Sequence, residues 1–190
     1  MWRFLFVKNA IFICMTTQYL YHRVPKNMVG SILYPLNVLK QIHPEIYSEH
    51  VKKYDERQHL LTREIPILNC LWNDVLHFTV ISPEDVKNNL EKAGFYYEPM
   101  SWYKIPVGSV EQDKCIALTY HIDRETGIET KEYQRFDHTK MDLYRIILPE
   151  TIEYYIRKKK DGADPLLFHL VPHILYRGNI DIGNTEIIVS

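Results

Sequence analysis

The chain has few cysteines, no long apolar run and no block of like charge, and each absence removes a class of protein. Its three cysteines, at 14, 70 and 115 of 190 residues, lack the spacing of a metal site. An odd set of thiols without such spacing fits reduced side chains in a cytoplasmic compartment. No segment carries the roughly 20 apolar residues that span a bilayer, so no membrane partner is expected. A formal net charge of -1 without basic or acidic blocks gives no general attraction to nucleic acid. Four signatures are also missing: a phosphate loop, Gly-x-Gly-x-x-Gly, His-Glu-x-x-His and Gly-x-Ser-x-Gly.

What is present is an ordinary globular composition, 46% hydrophobic and 25% charged, with 14 Tyr and 9 His. Tyrosine combines an apolar body with a polar tip and suits half-buried walls and clefts. The length fits one domain. Residues 1–14 are apolar with Arg3 and Lys8 among them. They resemble the start of a signal peptide, but no small-x-small cleavage site follows. They are read as an N-terminal extension, native or over-called with Met15 as the start, ahead of a single domain over 15–190.

Residues 18–24 alternate and are rich in Tyr and Val, which predicts a strand stopped by Pro25. Short helices are expected over 26–33 and 36–42, and a longer one over 45–65 after Pro44. Residues 67–72 read equally as strand or buried helix. A strand is expected over 75–81. Ser82-Pro83-Glu84-Asp85 then starts a helix that Gly94 can close. Further strands are expected over 102–107, 166–176 and 185–189, with a hairpin of 115–122 and 128–136. Leu148-Pro149-Glu150 opens another helix, whose last turn holds Arg157-Lys158-Lys159-Lys160 at the negative dipole end. The sum is α+β: a mixed or antiparallel sheet of six or seven strands with three or four helices.

The stretch from Ile65 to Val80 is among the most apolar in the chain, yet it contains Asn73, Asp74, His77 and Thr79. A buried polar group costs about 1–3 kcal/mol unless it is hydrogen-bonded. Asn73 and Asp74 suit a turn or cap entering the strand. His77 and Thr79, two apart, share a strand face. His22, His173 and Glu186 also fall on expected strands and could converge with that pair on one cleft. His121 and Asp123 share a face too, but no further metal ligands accompany them, so no metal site is assigned.

These residues carry a resemblance to the ADP-ribosyltransferase-like superfamily, including its small bacterial members. The matching segments are Leu20-Tyr21-His22-Arg23-Val24-Pro25, Leu76-His77-Phe78-Thr79 leading into Ser82-Pro83-Glu84, Pro172-His173-Ile174-Leu175-Tyr176, and Thr185-Glu186-Ile187-Ile188-Val189. The resemblance implies an ADP-ribosyltransferase-like fold and NAD, or a related nucleotide, as the bound small molecule. It implies that His22 binds the NAD ribose, with Arg23, Thr79 and His173 also on the cofactor. Glu186 and His77 would be the catalytic pair, Glu186 stabilising an oxocarbenium-like transition state. Asn184 stands where protein-modifying members carry Gln or Glu, so the acceptor is open.

A second resemblance is to two-histidine phosphoesterases, which use two His-x-Thr/Ser strands as acid, base and phosphate ligands. His77-Phe78-Thr79 fits one motif, and His173-Ile174-Leu175 lacks the hydroxyl of the other. A third reading is a non-catalytic protein whose Tyr-rich walls bind a protein partner.

Overall fold

The computed structural model describes residues 18–123 and 125–190. The extension over 1–14, Cys14, Met15 and Arg124 lie outside the described residues.

β1 (Tyr19–Arg23) opens the fold. Gly30, at φ +72°, turns the chain into β2 (Ile32–Leu33), then α1 (Leu36–Ile42) and α2 (Pro44–His50). The helix expected to run to residue 65 stops there. Val51–Tyr54 and Gln58–Leu60 are 3₁₀ turns instead. The reason is legible: residues 55–59, Asp-Glu-Arg-Gln-His, supply no apolar group for more than a helical turn, so no stripe remains to bury. The helix expected over 26–33 is also absent, because Ile32 and Leu33 pair with a late strand.

β3 (Glu64–Ile65) and β4 (Cys70–Leu71) form a small ribbon. A 3₁₀ turn, Trp72–Asp74, leads into β5 (Leu76–Phe78). α3 (Pro83–Lys92) starts as expected, the Ser82 hydroxyl accepting from Asp85 N–H at 3.1 Å. β6 (Ser101–Pro106) follows. β7 (Cys115–Ile122) and β8 (Glu129–Arg135) make the predicted hairpin, and α4 (Pro149–Lys160) comes next. The chain ends with β9 (His173–Tyr176), β10 (Ile180–Asp181) and β11 (Glu186–Val189).

The strand expected over 166–176 is formed only from His173. Upstream, main-chain groups are taken by side chains of α4. Tyr154 Oη accepts from Leu166 N–H, Tyr155 donates to Leu167 O, and Thr151 donates to His169 O. Leu170 at φ +57° and Pro172, which has no N–H, complete the exclusion from a ladder.

The result is α+β with antiparallel sheets. One sheet has the order β1-β6-β11 and another β5-β9-β7-β8. Two-residue strands account for the excess over the expected count, β2 pairing with β10 and β3 with β4. An isolated backbone bridge joins the two larger sheets. Tyr21 N–H donates to Thr79 O at 2.8 Å, and Thr79 N–H donates to Tyr21 O at 3.1 Å.

Three apolar cores follow. One joins the sheets through Leu20, Phe78, Tyr103, Ile105 and Ile174. A second lies between the other face of the four-stranded sheet and α1 with its following turns, through Leu36, Tyr54, Trp72 and Leu175. A third packs α3 on α4 through Leu90, Tyr154 and Tyr155. Burying each such side chain contributes about 1.5–3 kcal/mol before chain entropy is counted. Among the described residues, no helix is long and apolar enough to cross a membrane.

Candidate functional site

Where β1 leaves the first core, it meets α1, α2 and the Trp72–Asp74 turn. The gap between them is a cleft with about 100 Å³ of internal space. Its floor is apolar, with Leu36, Leu39, Val75 and Leu76. Its polar groups include His22, Tyr34, Lys53, Asn73 and His77.

The two histidines are fixed by main-chain carbonyls. His22 Nδ1–H donates to His77 O at 2.8 Å. His77 Nε2–H donates to Trp72 O at 2.9 Å. A carbonyl only accepts, so each bond sets the tautomer when the ring is neutral. His22 is left with Nε2 as its acceptor and His77 with Nδ1. Both rings keep some solvent exposure yet sit against apolar surroundings. Burial lowers the His22 pKa to about 4, and it holds His77 well below the usual value, with His173 adding to the effect. Both are neutral at pH 7, so they are hydrogen-bond acceptors there rather than acids. His77, expected as a catalytic residue, lines the cleft with its Nε2 tied to Trp72 O.

His173 lies beside His77, ring centroids 6.2 Å apart and nearly perpendicular. Trp72, Tyr120 and Phe168 surround it edge-on. Burial, then the Arg63 charge, lowers its pKa to about 4. It packs behind His77 in an aromatic wall and is not among the residues lining the cleft.

Lys53 is the cation of the cleft, its amine lowered by burial and by Arg57. A groove continues from the cleft past His22, His50 and Lys53 to Arg23 and Lys26. Arg23 is exposed at the end of β1 and thus stands at the edge, not in the interior.

Two expected site residues are elsewhere. Thr79 is buried at 2% exposure, and its hydroxyl accepts from Ile81 N–H at 3.1 Å. It belongs to the joint between the sheets and is not available to a ligand. Glu186 is paired in register with Lys104, which pairs with Tyr21; His22 pairs with Tyr103, which pairs with Ile187. Alternate residues point to opposite faces. Glu186 and His22 therefore occupy opposite faces of the sheet, with β6 between their strands, about 10 Å of backbone apart. Glu186 is instead in an ion pair with Lys104 at 2.9 Å. The expected convergence of Glu186 with His22 does not occur.

Among the polar residues of the 65–80 stretch, Asn73 and Asp74 lie in the turn entering β5 as expected, while Thr79 is buried rather than on an open face with His77. Asp74 caps the turn, as its position suggests. Its carboxylate accepts from Leu71 N–H and from Asn37 Nδ2–H, both at 2.7 Å. Asn73 sits in the same turn, as expected, without making the cap itself. It lines the cleft, 2% exposed, and its Oδ1 has no partner among the described residues. Tyr34, Lys53 and Asn73 are site residues that the sequence expectation does not include. Only Asn73 gives a signal in the sequence, as a polar residue in an apolar run.

Asp123 accepts from the N–H groups of Glu125 and Thr126, which makes it a turn residue of the β7–β8 hairpin. Among the described residues, no group of three or more His, Cys, Asp or Glu is placed to hold a metal ion. The chain matches no protein-family model, no characterised protein and no solved structure.

Proposed function

We propose that the cleft binds NAD or a related nucleotide and that the chain is an ADP-ribosyltransferase-like protein. The observation that carries this reading is the His22–His77 hydrogen bond, which leaves a neutral imidazole nitrogen as an acceptor beside a mostly apolar cleft. A ribose hydroxyl is the complementary donor. The apolar floor and Tyr34 suit a base, and Lys53, with Arg23 and Lys26 along the groove, suits phosphates. NAD brings all three parts, so these residues fit it: His22 and Asn73 for polar contacts, Lys53 and Arg23 for the pyrophosphate.

NAD would supply the bond between the nicotinamide ring and ribose that a transferase cleaves. What this chain contributes is orientation and exclusion of water from one side of the ligand. The carboxylate role expected of Glu186 has no support from its position on the opposite sheet face. The reading is therefore of nucleotide binding first, with the acceptor open.

The phosphoesterase reading has less behind it. Its hydroxyl ligand Thr79 is buried in a backbone joint, and Leu175 lies in the second core. Calorimetric titration with NAD and with a 2′,3′-cyclic nucleotide separates the two. Saturable heat with NAD, lost in His22→Ala, supports the proposal. Heat only with the cyclic phosphate, or with neither, overturns it.

A further inference from the structure

Among the described residues, no Asp or Glu lines the cleft, while Lys53 does. Lys53 makes no ion pair among the described residues. The groove that continues the cleft adds Arg23 and Lys26. Its carboxylate, Glu49, accepts from Asn27 Nδ2–H. Three cations stand against one carboxylate that is already hydrogen-bonded, so cleft and groove carry an excess of positive charge. A concave surface of one sign concentrates ligands of the other.

The uncharged donors agree with that sign. Tyr34 and Tyr54 bring hydroxyls to the lining. Asn73 is 2% exposed and its Oδ1 is enclosed, so its amide presents the Nδ2–H end to the cleft. His22 and His77 add lone pairs on neutral rings, which suit hydroxyl donors and bring no negative charge. An aromatic face can also hold a cation. The Tyr54 face already has Lys53 Nζ at 5.2 Å from its centroid. A cationic ligand group would meet a like charge there and no carboxylate to balance it.

NAD carries both signs, negative on its pyrophosphate and positive on its nicotinamide ring. We propose that cleft and groove select by charge, holding the ADP-ribose part of a nucleotide by its phosphates and disfavouring a cationic ring. This rests on the nucleotide reading and names the ligand class within it: ADP-ribose is a better ligand than NAD, and Lys53 is the residue that makes the choice.

Two ligand pairs test this by calorimetry on the full chain at low ionic strength. ADP-ribose and NAD differ by the cationic ring, and AMP and adenosine by the phosphate. ADP-ribose should bind about threefold or more tighter than NAD, the scale of one exposed charge contact. AMP should bind about tenfold or more tighter than adenosine, the scale of a hydrogen bond to a charged group. Lys53→Met keeps the side-chain stem without the charge and should lose most of the AMP preference. Lys53→Arg keeps the charge and should retain it. Differences below these margins in the native chain, a reversed preference in either pair, or an AMP preference untouched in Lys53→Met overturns the charge selection while leaving nucleotide binding intact. No binding in any arm removes both the selection and the nucleotide reading.

Discussion

His22 donates its Nδ1 proton to the main-chain carbonyl of His77 at 2.8 Å. One imidazole therefore ties the first strand of one sheet to the first strand of the other, beside the Tyr21–Thr79 bridge that joins the same two strands. The bond couples the fold to the cleft. The sheets' relative placement determines where His22 Nε2 stands.

The joint itself is open to test through Thr79. In Thr79→Val the shape is kept, but the hydroxyl that accepts from Ile81 N–H is lost, leaving that N–H unpaired in the core. The variant should lose about 1–3 kcal/mol of unfolding free energy in denaturant titration. Nucleotide affinity of the folded fraction should stay within about twofold. A large loss of affinity with no loss of stability would return Thr79 to the ligand site.

The buried histidines make stability depend on pH with a defined sign. Burial depresses the folded-state values of His22 and His173 to about 4, against 6.5 in the unfolded chain. Between those values the unfolded chain binds more protons. Stability is therefore complete above about pH 6.5, falls as pH drops toward 4, and suffers no further loss from these groups below it. Melting temperature should decline through that window, and His22→Gln should flatten the decline. A flat profile between pH 7 and 4.5 in the native protein would contradict neutral, desolvated rings.

Glu186 makes the most direct contrast with the sequence expectation. Its ion pair with Lys104 is at the surface, on the sheet face away from His22. Glu186→Gln should leave the melting temperature within measurement scatter and the nucleotide affinity unchanged. A loss of affinity of tenfold or more would mean that Glu186 reaches the ligand.

The local punctuation of the fold is readable from sequence. The Ser82 cap, the β7–β8 hairpin and the helix from Pro149 depend on neighbours within a few residues, and they form as expected. Long-range choices are not readable. Nothing near residues 166–171 announces that tyrosines and a threonine of α4 will take their main-chain groups. Nothing near Ile32 announces pairing with Ile180–Asp181. The candidate site shows the same division. His22 and His77 stand out because histidine on an expected strand is conspicuous. Local rules place Asn73 in its turn but do not show that it also lines the cleft, and they leave Thr79 on a candidate face although it is buried, since adjacency to a turn and period-two alternation both look only at near neighbours. Which polar group ends up in a cleft is decided by what packs opposite.

The central claim is that His22 is a neutral imidazole with its proton on Nδ1 and its Nε2 accepting from a bound nucleotide. Long-range proton–nitrogen NMR on protein labelled with ¹⁵N-histidine reads both nitrogens directly. At pH 7 the account predicts a protonated Nδ1 and an unprotonated Nε2 for His22, with the Nε2 signal shifting on addition of NAD. A protonated Nε2 or a doubly protonated ring at that pH, or an Nε2 signal unmoved by saturating NAD, would contradict it.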